Sequence, residues 1–149
     1  MQRLLKKFFE EVTFLGGALF YLLFICLFLF NKQYFFMIIL ITGLFFIYSI
    51  MFIIRLFYFK PRPKKMGYNN FLEKIDASAF PSVHSARVVF LFIFLFFYFR
   101  ENSLLILSSF VLMILVFCSR LFLKKHDFID IFGGIILGII SFIFSFLIW

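Results

Sequence analysis

The chain has 149 residues, of which 65% are hydrophobic and 30 are phenylalanines, and its formal net charge is +8 at pH 7. A soluble domain of this length has too small an interior to bury so much apolar surface. The composition therefore excludes a soluble globular protein and predicts an integral membrane protein that partners the lipid bilayer. The positive charge lies in loops between apolar runs, without a soluble domain to present it, so no nucleic acid partner is expected.

The order of elements follows from apolar runs of about 20 residues, the length that crosses a bilayer as a helix. Residues 1–11 mix apolar and charged side chains and predict a short amphipathic helix in the membrane interface. Five predicted spans follow, at about 12–30, 34–59, 81–99, 103–123 and 127–149. The expected fold is an all-α bundle of five transmembrane helices that forms a single domain over residues 1–149.

Several local signals refine this prediction. Pro81 is expected in the first turn of the third span, where proline is well tolerated. Glycines in the last span, Gly133, Gly134 and Gly138, predict close approach of a neighbouring helix. Residues 66–80 form the only long polar connection, and a linker is favoured there over a lid. With an odd number of spans, this connection and the one after the fourth span share one face of the membrane.

The stretch from Ser119 to Asp130 gathers polar and ionisable residues between apolar runs. Ionisable side chains are expensive inside a membrane protein, so they usually mark a functional site. If the chain is helical from His126 onward, Asp130 lies about 40° round the helix and one turn on. The carboxylate then holds one imidazole nitrogen and leaves the other free to react, as in an oriented nucleophile or base.

Three polar clusters are predicted to converge on one face of the membrane. In chain order they are Arg55-x6-Arg62-Pro63, Pro81-Ser82-Val83-His84 and Ser119-Arg120-x5-His126-x3-Asp130. The forked donors of arginine suit a phosphate better than a neutral ligand. Backbone N–H groups at the start of the third span add donors and a favourable helix dipole. The clusters together predict an anion site.

In order and spacing, the three clusters resemble the signature of the type 2 phosphatidic acid phosphatases. These are membrane lipid phosphate phosphatases that share a core with the vanadium haloperoxidases. The resemblance covers residues 55–130, about half of the chain. The third cluster is the most specific part, because it fixes four residue types over twelve positions.

The resemblance implies a role for each matched residue. His126 is expected to attack phosphorus and form a phosphohistidine, while Asp130 holds and polarises its ring. His84 is expected to protonate the leaving oxygen and then activate the hydrolytic water. The expected ligands of the phosphoryl oxygens are Arg55, Arg62, Ser82, Arg120 and the backbone of Val83. The resemblance implies no cofactor and no metal ion.

The chain departs from the signature at two positions. The family usually has lysine where this chain has Arg55, which keeps the charge but changes the donor geometry. It usually has glycine where this chain has Val83, and a branched side chain there narrows the pocket or shifts the backbone donor. Neither departure removes a proton-transferring group, so activity is expected. Many members also have six spans, and residues 1–11 are expected to replace part of the missing one.

Other interpretations of the polar residues bear on function. The same phosphohistidine can pass its phosphate to another lipid, which defines a phosphotransferase. A non-catalytic protein that binds lipid phosphate is a further alternative, with Val83 as the sign of a decayed site. A metal centre that combines the two histidines with Asp127 and Asp130 is not expected, because three nearby arginines repel a divalent cation.

Two more ionisable residues have structural expectations. Asp127 is expected to cap a helix or to meet Lys124 or Lys125. Arg87, one turn after His84, is expected to pair or to extend toward the membrane surface rather than to touch a phosphate.

A site at the membrane boundary predicts a substrate with its phosphate among the headgroups and its tails in the bilayer. Undecaprenyl diphosphate, phosphatidylglycerophosphate, phosphatidic acid and lipid A 1-phosphate fit this description equally. The expected location is the bacterial inner membrane. Most bacterial relatives work on the periplasmic face, and this face is favoured for the site. The positive-inside rule instead favours the cytoplasmic face, because Lys32 and Arg100 are the only Lys and Arg residues predicted on the face opposite the site. The oligomeric state is left open.

Overall fold

A computed structural model describes residues 2–64 and 66–149 of the chain. Its regular elements are α1 (Gln2–Val12), a 3₁₀ turn (Thr13–Gly16), α2 (Ala18–Phe30), α3 (Tyr34–Phe57), α4 (Phe71–Ala77), α5 (Val83–Tyr98), α6 (Ser103–Phe122) and α7 (Phe128–Ile148). An isolated antiparallel bridge joins Pro61 to Ser78. The all-α prediction is confirmed for the residues that are described.

Three of these helices, α3, α6 and α7, are long and apolar enough to cross a membrane. They correspond to the second, fourth and fifth predicted spans. Helix α5 is apolar but has only 16 residues. At about 1.5 Å per residue it is roughly 24 Å long, which is less than the hydrocarbon thickness of about 30 Å. Three helices among the described residues are therefore candidate membrane spans, while the count of five stays a prediction.

The predicted first span is divided in the structure. Gly17 is extended, with φ −75° and ψ 162°, and the chain bends by 43° between residues 3–16 and α2. A Cβ atom on Gly16 would lie 2.8 Å from Val116 Cγ1 and 3.2 Å from His84 Cβ. The chain therefore runs too close to α5 and α6 at this point for a larger residue.

Helix α1 is amphipathic, as the charged and apolar residues near the N-terminus predicted. Its side chains from Arg3 to Phe8 are exposed, while the ring of Phe9 packs against Phe122 at the end of α6, with 4.6 Å between the ring centroids. The bend that follows α1 brings Thr13 to α6, where its Oγ1 lies 2.8 Å from Ser119 Oγ. The N-terminal segment is thus fixed against the end of α6.

Helix α5 is the centre of the bundle and packs against α3, α6 and α7. Its buried residues include Ala86, Phe90 and Phe94. A Cβ atom on Gly134 of α7 would lie 2.4 Å from Ser82 O, and one on Gly138 would lie 2.6 Å from Ala86 O. The predicted packing role of these glycines is confirmed, since their lack of a side chain lets α7 approach the backbone of α5.

Helix α5 begins at Val83, two residues after Pro81, which was expected in its first turn. Ser82 is its N-cap, and the Ser82 hydroxyl accepts the N–H of Ser85 at 3.4 Å. A serine in this position satisfies an N–H group that has no partner within the helix. Pro81 therefore precedes the helix, and its assignment to the first helical turn is wrong.

The connection between α3 and α5 is folded against the rest of the protein. It contains α4, and after α4 the N–H of Ala79 donates to the carbonyl of Lys60 at 2.7 Å. The guanidinium of Arg62 donates to the carbonyl of Asp76 at 2.6 Å. The segment thus forms one wall of the polar region, where the sequence had favoured a simple linker.

Candidate active site

A cavity of about 300 Å³ lies at the end of the bundle where α5, α6 and the two polar connections meet. Six of the eight predicted site residues line it, namely Arg55, Arg62, Val83, His84, Arg120 and His126. The other lining residues are Thr13, Tyr48, Met51, Asp76, Arg87 and Lys125. The structure therefore brings the three sequence clusters together.

Backbone hydrogen bonds between distant segments hold this convergence. The N–H of Lys64, after the first cluster, donates to the carbonyl of Lys124 at 2.8 Å. The N–H of Ser82, in the second cluster, donates to the carbonyl of Asp130, in the third, at 2.9 Å. Both polar connections thus lie at the same end of the bundle, as expected for connections that two predicted spans separate.

Positive charge dominates the walls of the cavity. Four arginines and Lys125 line it, opposed by one carboxylate, Asp76. Burial together with nearby Arg120 and Arg62 lowers the pKa of the Lys125 ammonium. An excess of cations in a partly enclosed site favours an anionic ligand.

Arg120 has two buried N–H donors that lack a hydrogen-bond acceptor among the described residues. It is 2% exposed, and neither its Nε nor its Nη1 finds a hydrogen-bond acceptor within residues 2–64 and 66–149. The Nε of Arg62 also has no hydrogen-bond acceptor among the described residues. A buried guanidinium is costly unless its donors are satisfied, and phosphate oxygens match the fork of arginine well. These donors fit a phosphoryl group.

Arg55 makes contacts that its predicted role as a phosphate ligand did not include. Its Nε donates to Phe80 O at 3.3 Å, Nη1 to Ile75 O at 3.2 Å and Nη2 to Pro81 O at 3.0 Å. A guanidinium has five N–H donors, so Arg55 holds the segment before α5 and still borders the cavity. The single nitrogen of a lysine could not reach three carbonyls in this way, which gives a physical reason for arginine at this position.

His126 lies just before α7 and is 3% exposed. Its Nδ1 is 3.6 Å from Asp130 Oδ2, longer than a hydrogen bond. Burial lowers the pKa of His126, the proximity of Asp130 opposes this effect, and Arg120 and Arg62 lower the pKa further. The imidazole is therefore neutral at pH 7. Because Nδ1 faces Asp130, Nε2 is the ring nitrogen that does not face this carboxylate.

The sequence analysis assumed a helix from His126 onward, and the structure differs. Helix α7 begins at Phe128, with Asp127 as its N-cap. Asp127 Oδ1 accepts the Asp130 N–H and Asp130 Oδ2 accepts the Asp127 N–H, each at 3.0 Å. This capping box places His126 outside the helix while its ring still reaches Asp130. The expectation that Asp127 caps a helix is confirmed.

Lys60 is a residue of this region that the sequence analysis missed. Its Nζ donates to Asp127 Oδ2 at 2.6 Å and to Asp130 Oδ1 at 2.7 Å. Lys60, rather than Lys124 or Lys125, is thus the lysine that meets Asp127. Burial opposes protonation of Lys60, but its two hydrogen bonds to carboxylates raise its pKa overall. Its place in the basic stretch at residues 60–65 gave no indication of this contact.

The second cluster divides between the cavity and the interior. Val83 and His84 are the first residues of α5 and line the cavity, and N–H groups in a first helical turn have no partner within the helix. Ser82 is fully buried, and its Oγ lies 3.0 Å from Ser85 Oγ. The Ser82 hydroxyl therefore serves the start of α5 and does not line the cavity, although it was predicted to bind phosphate.

Arg87 was expected to be paired or to extend toward the membrane surface, and in the structure it is buried and hydrogen-bonded to a tyrosine. Its Nη1 donates to the hydroxyl of Tyr48 at 2.7 Å. Arg87 is also 4% exposed and lines the cavity one helical turn from His84. That spacing was the sequence signal for its position, whereas Thr13, Tyr48 and Met51 belong to no motif.

Among the described residues, no group of three or more His, Cys, Asp or Glu side chains is arranged to hold a metal ion.

Comparison with known proteins gives two further findings. The family profile of the PAP2 superfamily matches residues 36–149. The chain also resembles the crystal structure of LpxE from Aquifex aeolicus, with a TM-score of 0.75 and 26% identity over 97% of this chain and 86% of that one. No curated protein sequence matches the chain significantly. Because the profile covers well over half of the chain and includes all three clusters around the cavity, the protein belongs to the PAP2 superfamily.

Proposed function

We propose that the protein is a membrane lipid phosphate phosphatase that works through a phosphohistidine and needs no metal ion. The observation that carries this proposal is that His84 and His126 line one cationic cavity, with Asp130 behind the Nδ1 of His126. Membership of the PAP2 superfamily and the likeness to LpxE support phosphatase chemistry.

In the first step, Nε2 of His126 attacks phosphorus and the bond from phosphorus to the leaving oxygen breaks. His84 donates a proton to that oxygen, so the lipid leaves as an alcohol or, from a diphosphate, as a monophosphate. Arg62 and Arg120 hold the phosphoryl oxygens and stabilise the charge that develops on them, as preorganised donors do. The neutral state of His126 supports its role as the nucleophile.

In the second step, His84 takes a proton from water, and the water oxygen attacks the phosphorus of the phosphohistidine. The bond between phosphorus and Nε2 breaks, which releases inorganic phosphate and restores His126. Each proton transfer of this kind contributes about 10² to 10⁴ in rate. One histidine is thus the nucleophile while the other is first the general acid and then the general base.

The position of the cavity supports a lipid as substrate. The cavity lies at the end of helices whose outer surfaces expose large apolar side chains, so a bilayer lipid brings its headgroup to this level while its tails stay in the hydrocarbon. The candidates remain undecaprenyl diphosphate, phosphatidylglycerophosphate, phosphatidic acid and lipid A 1-phosphate.

The test is phosphate release from these four lipids by the purified protein in detergent, with EDTA present. We expect the wild type to release phosphate from at least one lipid and His126→Ala to release none. Lys124→Gln is a suitable control, because Lys124 is exposed and does not line the cavity. Activity that is lost in EDTA, or that persists in His126→Ala, contradicts the proposed chemistry. Release that requires a second lipid as acceptor identifies a phosphotransferase instead.

A further inference from the structure

The ammonium of Lys60 contacts the residue that faces the nucleophilic histidine. Asp130 is fully buried, and its two carboxylate oxygens have different partners. Oδ1 accepts from Lys60 Nζ at 2.7 Å, whereas Oδ2 accepts the N–H of Asp127 and faces Nδ1 of His126. Lys60 therefore occupies the side of the carboxylate that His126 does not use.

Two hydrogen bonds fix the backbone of Lys60 and so position its side chain for the contact with Asp130. Its N–H donates to Ser78 Oγ at 3.2 Å, and its carbonyl accepts the N–H of Ala79 at 2.7 Å. The next residue, Pro61, forms the bridge with Ser78. Lys60 is thus fixed to the segment that leads directly into the start of α5.

A buried carboxylate needs such a partner. An ionised carboxyl group without a paired charge is strongly disfavoured in a protein interior, and removal of one member of a buried pair leaves an uncompensated charge. The Lys60 side chain is 20% exposed and that of Asp130 is 0% exposed, so solvent screens this pair only weakly. The ammonium therefore keeps Asp130 ionised and restricts the rotation of its carboxylate.

We propose that Lys60 is a positioning residue for the phosphatase reaction: by holding Oδ1 of Asp130, it keeps Oδ2 directed at Nδ1 of His126. Lys60 acts only through Asp130 and touches neither the substrate nor the reacting nitrogen. This inference rests on the proposed function, because it assigns Lys60 to the orientation of the nucleophile. It also gives a role to a lysine at a variable position of the first cluster, between Arg55 and Arg62, that lies between two carboxylates.

The test is a double-mutant cycle on Lys60 and Asp130. Phosphate release is measured for wild type, Lys60→Gln, Asp130→Asn and the double variant, with kcat and KM determined separately for the best of the four lipids. We expect Lys60→Gln to lower kcat about 10- to 100-fold, the usual size of such indirect effects, with little change in KM. Residues that act as a unit are not additive, so we expect the double variant to be no slower than Asp130→Asn.

Lys64→Gln provides a matched control from the same loop. Lys64 is exposed, and its hydrogen bond to the carbonyl of Lys124 is donated by its backbone N–H rather than by its side chain. We expect this variant to keep the wild-type kcat. Thermal unfolding of each variant in the same detergent separates loss of fold from loss of positioning. If Lys60→Gln is less stable than the wild type, kcat of all four proteins is compared below its unfolding temperature, where the variant is still folded.

Two results would overturn the inference. They are a wild-type kcat in a folded Lys60→Gln and losses that multiply in the double variant. If the wild type releases no phosphate from any lipid, the proposed function fails and the inference fails with it. The inference fails alone when one of these results is found although the wild type releases phosphate and His126→Ala does not.

Discussion

The neutral imidazole of His126 has a direct consequence for pH dependence. Burial and the cations Arg120 and Arg62 lower the pKa of His126, against the opposing effect of Asp130. Attack on phosphorus requires the neutral ring, so activity is present above the folded pKa and is lost as the pH falls through it. We expect the acidic limb of kcat/KM to have its midpoint below about 6.5, the unperturbed value for histidine.

A pH profile of phosphate release at constant ionic strength measures this midpoint. The readout is kcat/KM because it reports the free enzyme. An acidic limb centred above the unperturbed value would mean that Asp130 outweighs burial and the two arginines. That result would contradict the lowered pKa of His126, and the imidazole would be largely protonated at the pH where the limb begins.

Arg120 supplies two buried donors that no acceptor among the described residues satisfies. Lysine keeps the charge but presents a single nitrogen in place of a planar fork. We expect Arg120→Lys to lower kcat/KM about 10²- to 10³-fold, the range found when a preorganised donor to a reacting oxyanion is lost.

The control for Arg120 is Arg100→Lys, because Arg100 is an exposed residue in the turn after α5. Competitive inhibition by inorganic phosphate gives a second measurement, and we expect it to weaken in Arg120→Lys alone. Equal inhibition of both variants by phosphate would show that Arg120 does not contact the phosphoryl group.

At the scale of elements, the contact between α5 and α7 fixes the start of α5. A Cβ atom on Gly134 would lie 2.4 Å from Ser82 O and 2.8 Å from Ser85 Cβ, and the first of these is backbone that cannot rotate away. We expect Gly134→Ala to destabilise the protein by about 1 to 3 kcal/mol, the usual cost of overpacking. It should also lower activity, because it displaces the residues that lead into His84.

Gly67→Ala is the matched control for Gly134→Ala. Among the described residues other than its chain neighbours, no atom lies within 4 Å of a Cβ built on Gly67, so the same chemical change meets open space there. Thermal unfolding in detergent compares the two variants directly. Equal unfolding temperatures for Gly134→Ala and the wild type would mean that α7 can move away from α5 without cost.

At the scale of the whole molecule, the apolar surface and the polar cavity are arranged for a membrane boundary. Large side chains such as Phe45 and Leu107 are 72% and 59% exposed on the outside of helices, where lipid is the matching solvent. Helix α3 separates the turn at Asn31–Gln33 from the polar connection that holds Arg62. With 24 residues, it extends about 36 Å, enough to place these two loops on opposite faces.

Cysteine labelling tests that arrangement. Lys32→Cys and Lys64→Cys are each made in a chain that carries Cys26→Ser and Cys118→Ser, because both native cysteines are exposed. In intact bacterial cells, we expect a membrane-impermeant maleimide to label only one of the two positions. Labelling at residue 64 would place the site on the periplasmic face, and labelling at residue 32 would place it on the cytoplasmic face. Equal labelling of both positions would contradict the topology.

The sequence by itself determined those features that depend on local composition and spacing. Apolar runs of sufficient length specify helices in lipid, which is why α3, α6 and α7 fall within the predicted spans. Fixed intervals of residues within the three polar clusters identified six of the residues that line the cavity. Short polar side chains beside helix starts also encode caps, and Asp127 was recognised on that basis.

Only the tertiary structure decided which partners these residues meet across the chain. Lys60 and Asp130 are 70 positions apart, and no local pattern records that one ammonium joins both carboxylates at the start of α7. The burial of Ser82 and the three carbonyl contacts of Arg55 likewise depend on how α5 is placed against its neighbours. The close approach of Gly16 to α5 and α6, next to the break at Gly17, also depends on this packing. Helix formation is local, whereas these contacts arise when distant segments compete for the same buried space.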